Sequence, residues 1–154
     1  MQFKYNDGGR SKYFKGDAGD CVVRAIAIAT NSDYKKIYYE LKNRNADYLE
    51  SKNTKLSKAL RRTGSTPRQG NYKKIYHDYI LSLGFKWTPT MFVGQGCKVH
   101  LIENELPKGT LIVSLSRHLC TVINGVINDT FNPQRQDEDG RQTRCVYGFY
   151  QKEI

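Results

Sequence analysis

The chain has 154 residues, of which 38% are hydrophobic and 26% charged, and its net charge is +10. This length suits one domain with a core of its own, and no apolar run approaches the length of a membrane span. The first residues lack the apolar region of a secretion signal, so we expect a cytoplasmic protein without a membrane partner.

The cysteine and histidine spacing argues against a metal site. Cys21, Cys97, Cys120 and Cys145 are scattered along the chain, and none forms a Cys-x-x-Cys pair. In a reducing cytoplasm all four are expected to be free thiols. The three histidines add no zinc-ligand spacing, so we expect neither metal nor cofactor and rank a metal-dependent enzyme last among the functions considered.

The first half of the chain predicts helices. Glycines make residues 1–19 irregular. The run 21–30 is apolar on nearly all sides, which is typical of a buried helix, and Asp20 before it is a good N-cap residue. Apolar positions three and four residues apart predict further helices downstream. These helices are expected over 33–43, 54–62, 72–83 and 99–106.

The second half of the chain predicts a sheet. Strands are expected over 85–87, 110–116, 118–123, 126–131 and 145–150. The dipeptide Asn124-Gly125 is the strongest signal for a two-residue hairpin turn. Helices followed by antiparallel strands give an α+β fold. We expect a single domain over 1–154, with a helical part at about 20–106 and a sheet at about 110–150.

Cys21 is the candidate nucleophile. As the first residue of the predicted helix, its sulfur would lie at the positive end of the helix dipole, which favours the reactive thiolate. A reactive group on a helix anchored in the core suits covalent catalysis. The neighbouring carboxylate of Asp20 would oppose the thiolate, and Arg24 one turn later would offset that charge. The alternative is that Cys21 is a small core hydrophobe.

The hairpin supplies a candidate base and its partner. If Asn124-Gly125 is the turn, Ile123 faces Val126 and the pairing continues outward. His118 and Asp129 then share one face of the sheet as diagonal neighbours, about 7–8 Å apart and within side-chain reach. Asn128 points to the other face. The alternation therefore selects Asp129 as the group that orients His118 in a nucleophile–base–orienter triad.

Three segments carry a resemblance to a known family: the run 20–27 around Cys21, the tripeptide Ser116-Arg117-His118, and the segment 127–130 around Asp129. An early Cys on a central helix, followed by His and Asp on later strands, resembles the papain-like cysteine peptidase superfamily. It is similar to small phage and bacterial proteins of that group and to bacteriocin-processing peptidases. The resemblance covers roughly 19–150.

That resemblance implies a papain-like fold and a cysteine-peptidase-like hydrolase with Cys21, His118 and Asp129 as its catalytic triad. The implied substrate is a peptide or protein, and the implied compartment is the cytoplasm of a bacterium or of a phage-infected host cell. Papain-like enzymes usually have a Gln a few residues before the nucleophile, which completes the oxyanion hole, but residues 14–18 contain none. The backbone N–H of Cys21 remains one donor, and Lys15 or Asn6 is a candidate second donor.

The basic stretch between Lys35 and Lys74 supports a rival function. It contains twelve lysines and arginines against three acids, a balance that attracts nucleic acid or another acidic partner. The rival is a catalytically idle papain-like fold that acts as a basic binding module for nucleic acid or a host protein. The alternative to a binding surface is a solvated helical face without a partner. The candidate binding residues are Lys35, Lys36, Lys42, Arg61, Arg62, Lys73 and Lys74.

Overall fold

The computed structural model of the chain describes residues 1–16, 18–51 and 73–152, together with Lys55, Lys58 and Pro67. The helix predicted over 54–62 falls almost entirely outside these residues. The helices of the described part are α1 (Cys21–Thr30), α2 (Tyr34–Ser51) and α3 (Lys73–Ser82). The strands are β1 (Gln2–Tyr5), β2 (Phe85–Pro89), β3 (Thr110–Leu115), β4 (His118–Ile123), β5 (Val126–Asp129) and β6 (Gly148–Lys152).

The six strands form one sheet in the order β1-β5-β4-β3-β6-β2. All neighbouring strands are antiparallel except β1, which runs parallel to β5. This arrangement confirms the predicted α+β class, with a mostly antiparallel sheet. Within the described ranges, no helix is both long and apolar enough to cross a bilayer.

Several predicted elements match and others need correction. α1 has the predicted bounds, and the hairpin has the predicted register, with Ile123 opposite Val126. The N-terminal segment is not wholly irregular, because β1 pairs with β5. The helix expected over 99–106 is only a 3₁₀ turn at Glu103–Glu105. The strand expected over 85–87 is present as β2, which extends to Pro89 and joins the sheet although it lies within the part predicted as helical. The pairing partner that makes β1 a strand is distant in sequence.

The expectation of four free thiols is wrong for two of them. Cys97 and Cys145 form a disulfide, with their Cα atoms 5.9 Å apart, whereas Cys21 and Cys120 are free. Isolated antiparallel β-bridges, such as the one between His100 and Cys145, hold together the loops that carry the two cysteines. Because 48 residues separate them along the chain, their spacing gave no indication of this contact.

The sheet separates two hydrophobic clusters. The helices pack on one face, where Ile26 of α1 and Ile80 of α3 meet Ile112 of the central strand β3. The other face carries a second cluster that includes Leu101 and Ile127. Residues that alternate along a strand point to opposite faces, so β3 contributes to both clusters. This packing fixes the start of α1 close to the start of β4, where Cys21 and His118 lie.

Gly148 allows a close approach between strands β6 and β2. A Cβ added at Gly148 would lie 2.3 Å from the Trp87 ring and 2.9 Å from the backbone oxygen of Thr88. We expect Gly148→Ala to lower the free energy of unfolding by about 1–3 kcal/mol, because the ring or the strand must move. Urea unfolding measures this loss. Lys86→Ala, at an exposed position of the neighbouring strand β2, is the control, and equal stability of the two variants would contradict the packing.

Candidate active site

Cys21 begins α1, as the sequence predicts, but Asp20 does not cap that helix with its side chain. The Asp20 side chain is instead completely buried. Its Oδ2 accepts a hydrogen bond from Arg10 Nε at 2.9 Å and another from the Tyr34 hydroxyl, and its Oδ1 accepts one from Arg24. The charge of Asp20 is therefore balanced by two guanidinium groups, which removes its expected opposition to a thiolate at Cys21.

The structure joins His118 to Asp129 rather than to Asn128. His118 Nε2 lies 2.6 Å from Asp129 Oδ2, and both side chains are largely buried. Asn128 instead accepts a hydrogen bond from the Asn6 side chain. The ring of Phe131 packs beside the imidazole, with the two centroids 4.9 Å apart. Because Asp129 holds Nε2, the other ring nitrogen, Nδ1, is the one left for Cys21.

Arg24 connects the buried carboxylate of Asp20 with that of Asp129. One of its terminal nitrogens binds Asp20, and the other lies 3.6 Å from Asp129 Oδ1. The first turn of α1 is thereby tied to the end of β5. We call these side chains the buried cluster: Asp20, Asp129, Arg10 and Arg24. Its two acids and two arginines carry no net charge, which limits the cost of removing them from water.

The thiol and the imidazole change each other's ionisation. Burial opposes ionisation of Cys21, but hydrogen bonds with His118 and with the backbone of Leu119 outweigh it and lower the pKa of the thiol. Burial likewise disfavours the charged form of His118, yet its hydrogen bonds with Asp129 and Cys21 raise the pKa of the imidazole to about 9. These opposite shifts favour a thiolate–imidazolium pair at neutral pH.

The candidate nucleophile faces an open cavity of about 430 Å³. Its wall includes Cys21, His118 and Tyr76 of α3. A neighbouring cavity of about 620 Å³ is lined by Phe14 and Lys15, among others. The two cavities share Ala18, Arg24 and Phe131. The two cavities are therefore adjacent to one another.

Neither side chain proposed as a second oxyanion donor lines the cavity of Cys21. Asn6 uses its amide nitrogen to bind Asn128, and its amide oxygen accepts a hydrogen bond from the backbone of Gly8. Lys15 is exposed and lines the neighbouring cavity. Tyr76 does line the cavity of Cys21. No signal in the sequence marks Tyr76 as a cavity residue, because its spacing in α3 matches that of an ordinary core residue.

The other free cysteine differs sharply from Cys21. Cys120 is 1% exposed and belongs to the cluster on the face of the sheet opposite the helices. Burial, and then the nearby charge of Asp129, raise the pKa of its thiol. It is therefore an inert core residue at neutral pH.

The predicted basic surface is only partly described. The five residues of that surface that the structure describes all have exposed side chains on α2 or α3; they are Lys35, Lys36, Lys42, Lys73 and Lys74. Four of these ammonium groups lie within about 6 Å of an aromatic ring centroid, as Lys73 does over Trp87. Arg61 and Arg62 lie outside the described residues.

Comparisons with known proteins identify no family for the chain. No family model matches the chain, and searches of curated proteins and of solved structures find no match. Over the described ranges, no group of three or more His, Cys, Asp or Glu side chains is arranged to hold a metal ion.

Asp20→Asn tests the buried cluster. The variant leaves Arg10 and Arg24 buried without the charge that balances them, so we expect the free energy of unfolding to fall by about 3–5 kcal/mol. Tyr34→Phe removes a single hydrogen bond to the same carboxylate and should cost about 1–2 kcal/mol. Urea unfolding measures the free energy of unfolding of both variants. An Asp20→Asn variant as stable as Tyr34→Phe would mean that the ion pairs do not hold the site together.

Proposed function

We propose that the chain is a papain-like thiol hydrolase or acyltransferase that acts on peptide or isopeptide bonds, with Cys21 as nucleophile, His118 as acid and base, and Asp129 as the residue that orients His118. The observation that carries this proposal is that Cys21 and His118 line the same cavity, with His118 Nε2 2.6 Å from Asp129 Oδ2. A histidine held in this way has a fixed tautomer and a stabilised positive charge.

The proposed reaction begins with attack of the Cys21 thiolate on the substrate carbonyl. The new C–S bond pushes the carbonyl electron pair onto oxygen, where the backbone N–H of Cys21 donates a hydrogen bond. The imidazolium of His118 then gives its proton to the leaving amine, and a thioester remains on Cys21. Water or an acceptor amine next loses its proton to His118 and attacks the thioester, which releases the thiol.

The pKa shifts give this proposal a pH window. Because the pKa of Cys21 lies below its ordinary value, the thiolate should persist at pH values where other thiols are protonated. Because the pKa of His118 is raised to about 9, its proton is lost only as the pH rises through that value. The ion pair therefore exists from the lowered pKa of Cys21 up to about pH 9.

Alkylation by iodoacetamide tests the nucleophile. We expect Cys21 to react rapidly at neutral pH, and Cys21→Ala to abolish this reaction, because Cys120 is buried and the other two cysteines form a disulfide. His118→Ala should move the inflection of the rate upward in pH, since the thiolate loses its counter-charge. To test hydrolysis, peptide mixtures are exposed to the unaltered protein and to Cys21→Ala, and new peptide termini are detected. If Cys21 reacts no faster than Cys120, the proposal fails.

A second candidate is a basic module that binds nucleic acid or a host protein. The net charge of +10 and the exposed side chains of Lys35, Lys36 and Lys42 on α2 support it. We expect such binding to weaken steeply with salt, and the charge-reversed variant Lys35→Glu/Lys36→Glu to weaken it further. A filter-binding titration of single- and double-stranded nucleic acid measures this. Failure to bind at low salt would exclude the nucleic-acid version.

A further inference from the structure

Three side-chain hydrogen-bond donors that the proposed triad does not use line the cavity of Cys21: Arg24, Tyr76 and Arg117. Stabilising a tetrahedral oxyanion generally takes two preorganised donors in a site screened from water. The backbone N–H of Cys21 supplies one of them. Asn6 and Lys15 do not line this cavity, whereas Tyr76 does. Arg24 is bound to Asp20 and Asp129, and Arg117 is exposed, so the phenol of Tyr76 is the buried side-chain donor to consider.

The hydroxyl of Tyr76 has no partner in the described part of the protein. The residue is 8% exposed, and neither a hydrogen bond nor an ion pair joins its hydroxyl to a described side chain or backbone group. Two other buried tyrosines of the same core differ from it in this respect. The hydroxyl of Tyr34 donates to Asp20, and that of Tyr150 lies 2.7 Å from His77 Nδ1. The hydroxyl of Tyr76 is not sealed from solvent, and because Tyr76 stands in the wall of the cavity, this unpaired hydroxyl is available to a ligand there.

Tyr76 is also close enough to Cys21 to respond to its charge. Burial, followed by the negative charge of the Cys21 thiolate, raises the pKa of the phenol to about 12. The hydroxyl consequently keeps its proton throughout the window in which the ion pair exists. It can donate a hydrogen bond to an anion that forms in the cavity, and it cannot act as a base there.

We propose that the Tyr76 hydroxyl is the second oxyanion donor, binding the substrate oxygen together with the backbone N–H of Cys21. This inference rests on the proposed function. It gives α3 a direct part in the chemistry, because the helix brings Tyr76 to the wall of the cavity beside Cys21. Residues 14–18 contain no Gln to serve as the second oxyanion donor, and Tyr76 supplies that donor instead.

Two reactions of the same thiol separate this role from a structural one. With p-nitrophenyl acetate, the Cys21 thiolate forms a C–S bond, the carbonyl electron pair moves to oxygen, and collapse of that oxyanion expels p-nitrophenolate with the C–O electron pair. With iodoacetamide, sulfur displaces iodide at a saturated carbon, and no oxyanion forms. A donor to the oxyanion accelerates only the first reaction.

Tyr76→Phe is the decisive variant. We expect it to slow acetylation of Cys21 by about 100-fold or more, in the range found for loss of one oxyanion donor, while alkylation by iodoacetamide keeps its rate and pH profile. Tyr79→Phe is the matched control, because Tyr79 is buried on the same helix and does not line the cavity. It should leave both rates unchanged. Continued protection of Cys120 from alkylation reports that each variant is folded.

Other outcomes overturn the inference in distinguishable ways. Equal slowing of acetylation and alkylation would mean that Tyr76 stabilises the thiolate instead of the oxyanion. An unchanged acetylation rate in folded Tyr76→Phe would remove Tyr76 from the chemistry altogether. If Cys21 of the unaltered protein alkylates no faster than Cys120, the proposed function itself fails, and that result needs no variant of Tyr76.

Discussion

The buried carboxylate of Asp20 organises the structure around Cys21. It accepts hydrogen bonds from Arg10 in the N-terminal segment, from Arg24 in α1 and from Tyr34 in α2. A buried charge is costly unless it is paired and hydrogen-bonded, so these three partners have little freedom to move apart. The carboxylate thus fixes where α1 begins, and with it the position of the Cys21 sulfur.

The same cluster transmits this constraint to the candidate base. Arg24 contacts both Asp20 and Asp129, and Asp129 holds the imidazole of His118. The thiol and the imidazole are therefore anchored to one another through charged groups as well as through packing. In this setting an acidic neighbour of the thiol is no obstacle to the thiolate, because its charge is already balanced. The proposed chemistry depends on that balance.

The sequence could predict the parts of the site that follow local rules. The apolar run gave the bounds of α1, and the Asn-Gly turn gave a register in which Asp129, rather than Asn128, reaches His118. Contacts between distant segments could not be predicted, because no local period encodes them. The pairing of β1 with β5 and the Cys97–Cys145 disulfide are examples. The approach of Tyr76 to Cys21 belongs to the same class.

The proposed chemistry requires that His118 carry a positive charge stabilised by Asp129 and Cys21. Nuclear magnetic resonance of the ring, recorded as the pH is raised, measures this charge directly, and Cys21→Ser serves as the reference. We expect His118 to keep its proton well above the ordinary range and to lose it at a pKa of about 9. A ring that loses its proton at or below its ordinary pKa, as burial alone would cause, would mean that Asp129 and Cys21 do not stabilise the charge.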